Sequence, residues 1–124
     1  MAAGRSTFPL RGSVYQVQFD PALGHEVRKT RPAVIVSNDH MNELAATVLV
    51  MPITAGQYPY YHWIKLQPPE GGLVKPSSIV TEQIRSIDKR RIRRRLGTLQ
   101  AETMAKIEDA IRDHFGLSEG RLLP

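Results

Sequence analysis

Gly24-His25-Glu26-Val27-Arg28-Lys29-Thr30-Arg31-Pro32-Ala33-Val34-Ile35-Val36-Ser37-Asn38 changes character halfway along. Up to Arg31 it is polar and cationic, with a histidine, a carboxylate and three basic side chains. From Pro32 it is a short, apolar, β-branched run that reads as a buried strand. Pro32 fits the first residue of that strand, where its missing N–H costs little. A residue before proline is pushed towards extended backbone, so Arg31 falls at the loop–strand junction with its direction fixed. A charged loop feeding a core strand presents reactive groups from a rigid base, which makes Arg31 the leading candidate for function.

Working outward, Ser13-Val14-Tyr15-Gln16-Val17-Gln18-Phe19 fits a half-buried strand stopped by Asp20-Pro21. On the other side, Asn38-Asp39-His40-Met41-Asn42 offers capping residues for one helical turn. Thr47-Val48-Leu49-Val50-Met51 predicts a third strand, ended by Pro52. Tyr58-Pro59-Tyr60-Tyr61 is a proline-interrupted aromatic patch before a further strand over residues 62–66, and Pro68-Pro69-Glu70-Gly71-Gly72 is a turn. Residues 78–87 read as a fifth strand, after which Asp88 caps a short turn into a basic run. The period then changes. Met104, Ile107, Ile111 and Phe115 recur at spacings of three and four, predicting an amphipathic helix over residues 100–115 that Gly116 ends. The fold expected is mainly β (α+β), five or six short strands in a small barrel-like sheet with one C-terminal helix packed on it. Residues 11–117 form the domain, residues 1–10 a flexible extension and residues 118–124 a tail.

Composition narrows the function. At 124 residues the chain is one domain with enough length for a hydrophobic core. It has no cysteine, which excludes disulfides and thiolate metal sites and suits a reducing cytoplasm. The first ten residues lack the apolar segment of a signal peptide, and no apolar run reaches the ~20 residues that span a bilayer. A net charge of +5 and a pI near 9.9 point to a polyanionic partner. The excess belongs to the body of the domain: residues 1–99 carry 14 Lys/Arg against 7 Asp/Glu, whereas residues 100–124 carry 3 against 5.

The four histidines (His25, His40, His62, His114) are scattered, with no metal-ligand spacing, and there is neither a P-loop nor a nucleophile elbow. Chemistry must therefore run on Arg, His, Thr, Glu and Lys without a cofactor. Cleavage of RNA by its own 2′-hydroxyl suits that inventory, because the substrate brings the nucleophile. The protein then supplies proton transfer and positive charge at the phosphorane. Arginine forks onto phosphate oxygens, histidine exchanges protons near neutral pH, and threonine orients a non-bridging oxygen. Residues 89–95 hold six basic side chains in seven, a phosphate-tracking patch or a solvated charge run. Tyr58, Tyr60, Tyr61 and Trp63 are packing residues or a platform for unpaired bases. Plainer roles stand beside the others too: an Arg31–Glu26 ion pair, His25 as a turn residue, Thr54 as a strand end.

Arg11-Gly12-Ser13-Val14-Tyr15, Asp20-Pro21, Gly24-His25-Glu26, residues 29–38, Pro52-Ile53-Thr54, Glu82-Gln83-Ile84-Arg85-Ser86-Ile87-Asp88-Lys89 and Leu96-Gly97-Thr98-Leu99 occur in this order. Together they resemble the MazF/PemK (Kid) toxin family, over roughly residues 11–117. The resemblance implies an SH3-like small β-barrel of five to seven strands with a C-terminal α-helix, usually a homodimer. It implies a type II toxin: a metal-independent, sequence-specific endoribonuclease that cuts single-stranded mRNA to 2′,3′-cyclic phosphate and 5′-hydroxyl ends. It also implies a cognate antitoxin with an acidic, disordered tail. Arg31 and Thr54 match the family's catalytic arginine and threonine, His25 the histidine of the PemK-like branch, and Glu82 a catalytic aspartate of that branch. Val80 stands where that branch has a further catalytic arginine, and Ser13 replaces the usual acidic residue after Arg11-Gly12. RNA contacts are expected from Glu26, Arg28, Lys29 and Gln57, and from Tyr58, Tyr60, Gln83, Arg85 and Lys89. Two other readings keep the fold: a nucleic-acid-binding module that never cuts, and a toxin that poisons DNA gyrase.

Overall fold

The structure, a computed structural model, describes residues 7–19 and 30–117. Its elements run β1 (Ser13–Gln18), β2 (Thr30–Ile35), α1 (Asp39–Leu44), β3 (Thr47–Ala55), β4 (Ile64–Leu66), β5 (Ser77–Ile79), β6 (Arg85–Asp88), β7 (Ile92–Thr98) and α2 (Ala101–His114). Single 3-10 turns precede β5, β6 and β7, at Glu70–Gly72, Thr81–Gln83 and Lys89–Arg91. Every ladder is antiparallel, in the order β4-β5-β3-β2-β1-β7 with β6 added on β3. Among the described residues no ladder joins β4 to β7, so the expected barrel is a curled sheet left open. No helix among them is long and apolar enough to cross a membrane.

Strand alternation makes β2 and β3 serve two cores. Val34, Val36, Met51 and Ile53 face one cluster, completed by Ile64, Leu66, Ile79, Leu99 and Ile107 of α2. Ala33, Ile35, Val48 and Val50 face the other, with Val17 and Ile87. Each of these Val, Leu, Ile and Met side chains contributes about 1.5–3 kcal/mol when fully buried, so burial on both faces of the central pair fixes the register. α2 presents Ile107 and Ala110 to the sheet. Phe115 lies past the end of the helix and is 59 % exposed, so it is not a core residue as its spacing predicted.

Three further departures have physical reasons. β2 begins two residues before Pro32, which lies in register with Gln16 of β1. The β2–β3 ladder begins only at Ala33, so the proline stands where the strand is paired on one side. β3 does not stop at Pro52 but runs on to Ala55. Its pairing to β6 covers Thr47 to Val50 and its pairing to β5 covers Ile53 to Ala55, so the missing N–H falls between two partners. Residues 78–87 are two strands, not one. β5 and β6 lie along β3 out of step with each other, and the Thr81–Gln83 turn takes up the difference. β7 is a strand where the sequence reads only as a charged run, and it carries Arg93, Arg94 and Arg95 of that run.

Candidate active site

Arg31 is the second residue of β2, exposed, and in register with Val17. It makes no ion pair or hydrogen bond with any described residue. Thr54 is half-buried near the end of β3, opposite Ser78. The β2–β3 ladder runs from Ala33 with Pro52 to Ile35 with Val50. The ladder ends there, and its register carried two residues further along each strand places Arg31 opposite Thr54, on the side of Ala33 and Pro52. Two residues distant in sequence are thus brought to the same end of neighbouring strands, each on a strand that also carries core residues. His25, Glu26, Arg28 and Lys29 lie outside the described residues.

Glu82 is placed differently. It is exposed on the turn between β5 and β6, and its Oε1 accepts a hydrogen bond from Trp63 Nε1 at 2.7 Å. With Tyr60, Tyr61, Trp63 and His114 it lines a cavity of about 480 Å³. No hydrogen bond or ion pair joins it to Arg31 or Thr54 among the described residues. Val80, beside that turn, is 5 % exposed and packs in the interior.

The aromatic loop is held from α2. Tyr61 Oη donates to Asp113 Oδ1 at 2.8 Å, His62 Nε2 lies 3.3 Å from Asp113 Oδ2, and His114 Nδ1 lies 3.1 Å from the same oxygen. The fully buried Thr81 hydroxyl donates to the His62 carbonyl at 3.0 Å, so it accepts from His114 Nε2 at 2.8 Å. These contacts hold His62 at φ +58°, a left-handed conformation that a non-glycine residue adopts only when its surroundings impose it. The Tyr61 hydrogen bond, joined by the two neighbouring imidazoles, keeps the Asp113 carboxyl below its ordinary 3.8, and the same hydrogen bond raises Tyr61 above 10.0. Sequence spacing points to none of this, since these loop and helix partners lie 19 to 52 residues apart.

The remaining expected RNA contacts are mixed. Tyr58 and Tyr60 are exposed and stacked, centroids 5.6 Å apart, with Tyr60 edge-on to Trp63 at 4.7 Å. Gln83 is exposed. Arg85 is exposed with its guanidinium 5.4 Å from the Phe19 ring centroid. Gln57 is engaged within the protein, donating to the Leu66 carbonyl and accepting from Gln67. Lys89 Nζ donates to the Glu43 carbonyl at 3.3 Å. In the basic run Arg90 pairs with Asp88, which its hydrogen bonds lower to about 2, while Arg93 and Arg95 reach Gln18 and Thr98. Arg94 is exposed with no partner among the described residues.

A model of the family described as PemK-like, MazF-like toxin of type II toxin–antitoxin system matches residues 10–115. The chain belongs to this toxin family. It is 36 % identical over 115 residues to the endoribonuclease MazF9 of Mycobacterium tuberculosis, covering 86 % of this chain and 96 % of that one. It is 34 % identical over 112 residues to the endoribonuclease MazF of Staphylococcus epidermidis, covering 87 % and 92 %. Among solved structures, a mycobacterial endoribonuclease in complex with its cognate antitoxin superposes with a TM-score of 0.71 at 28 % identity, over 91 % of this chain and 98 % of that one. A MazE–MazF structure from Deinococcus radiodurans gives 0.76 at 23 % identity over 91 % and 100 %, a likeness of fold. The MazF-type sheet with its C-terminal helix is therefore the architecture on which Arg31 and Thr54 stand.

Proposed function

We propose that this MazF-family toxin is an endoribonuclease that cleaves single-stranded mRNA at short sequences without a metal or other cofactor. In this reading the substrate's 2′-oxygen attacks the adjacent phosphorus as its proton is removed. The bond from phosphorus to the 5′-oxygen breaks and the departing oxygen takes up a proton, leaving a 2′,3′-cyclic phosphate and a 5′-hydroxyl. Arg31 sets its planar donors against the non-bridging oxygens as their charge grows, and Thr54 positions the scissile phosphate. His25 and Glu82 orient substrate or handle protons. The protein works as a homodimer in the cytoplasm, where mRNA is found, and a cognate antitoxin with an acidic, disordered tail holds it inactive by covering the same cationic surface.

The observation that supports this reading best is that the β2–β3 register, carried two residues beyond the ladder, lines Arg31 up with Thr54, with no described carboxylate engaging the guanidinium. An arginine kept for internal structure would have its charge matched within the fold. The test is cleavage of a long mixed-sequence RNA by purified protein in excess EDTA, with Arg31→Ala alongside. Wild type is expected to release fragments with 2′,3′-cyclic phosphate ends, and loss of the arginine to slow release by about 100-fold or more. RNA binding without cleavage by wild type would replace the reading with a binding module. Gyrase inhibition without RNA loss would replace it with gyrase poisoning.

A further inference from the structure

We infer that the cavity between the aromatic loop and the C-terminal end of α2 takes one unpaired guanine base, with Glu82 reading its Watson–Crick edge. The inference rests on the RNA-cleaving reading above and assigns to this pocket part of its sequence preference. Three observations meet here. The cavity, about 480 Å³, is of the size that binds a compact organic ligand. Its walls are aromatic, it opens to solvent, and Tyr60 and Tyr61 are 57 % and 71 % exposed, so aromatic surface is accessible along the cleft. Unpaired RNA bases are bound in this way, stacked on aromatic rings with their edges hydrogen-bonded by nearby polar groups.

Glu82 supplies the discriminating group. An ionised carboxylate only accepts hydrogen bonds, and each of its oxygens has two acceptor sites. Trp63 Nε1 occupies one site on Oε1 and fixes the group's orientation, while Oε2 has no donor among the described residues. Guanine presents two adjacent donors, N1–H and the N2 amino group, which match the two oxygens of a carboxylate. Adenine and cytosine offer a single amino group beside a ring acceptor. Uracil offers one N–H between two carbonyl oxygens that repel the carboxylate. The expected order is guanine first, adenine and cytosine next, uracil last. The same negative charge disfavours an acidic peptide in this pocket.

Trp63 is the only tryptophan in the chain and lines the cavity, so its fluorescence reports occupancy directly. The experiment titrates the full-length protein with guanosine, adenosine, cytidine and uridine monophosphates while following that fluorescence. Guanosine monophosphate is expected to saturate the change at about tenfold lower concentration than uridine monophosphate, the worth of one good two-point contact. Glu82→Gln keeps an acceptor for Trp63 Nε1 but turns an amide N–H₂ towards the base, and it is expected to abolish that preference. Tyr60→Ala is expected to weaken all four nucleotides alike. Equal titration of the four by wild type, or a guanine preference that survives Glu82→Gln, would overturn the inference. Since the readout needs no cleavage, a protein that binds guanine but cuts no RNA would defeat the functional reading alone. One that cuts RNA yet shows no base preference here would defeat the pocket alone.

Discussion

Thr103 Oγ1 donates to Glu70 Oε2 at 2.6 Å, joining the first turns of α2 to the 3-10 turn that follows Pro69. The same oxygen accepts from the Gln100 backbone N–H at 2.9 Å. Gln100 is the residue that opens the helix, and its own side chain makes no capping bond. A carboxylate thirty residues away performs that duty, with its negative charge at the positive end of the helix dipole.

Glu70→Ala should therefore destabilise the protein although it touches no core residue. The expected loss is about 1–2 kcal/mol, as for removal of a helix cap. Urea unfolding followed by circular dichroism measures it, and a midpoint equal to wild type would show that water replaces the carboxylate at no cost.

Gly97→Ala should be worse. A Cβ at this position would meet the Gly71 carbonyl carbon and the Gly72 nitrogen, both at 2.6 Å, and both are backbone. Gly97 does not need the left-handed region, so the cost is purely the contact between β7 and the Glu70–Gly72 turn. Overpacking of this kind costs about 1–3 kcal/mol, a large share of an ordinary domain's stability. Thermal melting of the variant measures it, and a midpoint equal to wild type would show that the turn moves aside at no cost.

The Tyr61–Asp113 hydrogen bond should be visible in alkaline titration. It raises the phenol above 10.0 in the folded protein, so the stability that Tyr61 adds is complete below that value and is lost as pH rises through the raised one. Asp113 is lowered from 3.8, so its contribution is present above 3.8 and is lost as pH falls through its depressed value. The contact is intact across the whole range between. Ultraviolet difference titration should show two tyrosines ionising late, Tyr15 through burial and Tyr61 through this bond; the second is absent from Tyr61→Phe and is brought back towards its ordinary value by Asp113→Asn. If Asp113→Asn leaves the titration unchanged, the hydrogen bond does not set the phenol's behaviour.

Much of this architecture is legible in the chain because apolar periodicity reports it directly. Asn38 caps α1 through its side chain as its residue type predicts, Asp88 caps the turn before β7, and Ile107 faces the core. What misled was locally ambiguous. Pro52 looks like a strand end, and only the exchange of partners along β3 explains why it is not. Residues 78–87 look continuous because both halves are strand-like, and the offset lies in β3 rather than in their own sequence. β7 hides behind Arg93, Arg94 and Arg95 because an edge strand has solvent on one side and carries charge where a central strand carries aliphatic residues. At the candidate site, Arg31 is conspicuous because proline follows it, whereas Thr54 is marked only by the family resemblance, since by itself it reads as a strand end. The neighbourhood of Trp63, Glu82 and His114 could not be read ahead of the fold, because three separate elements build it.

α2 is fastened at both ends, by Glu70 at its start and by Tyr61, His62 and Thr81 around its last turn. It therefore behaves as a brace and has no freely fraying end. Loosening the helix dismantles the walls of the aromatic cavity, and filling that cavity stiffens the helix. The helix and the loop beneath it are thus coupled through these bonds, so that a mutation in either one is felt by both.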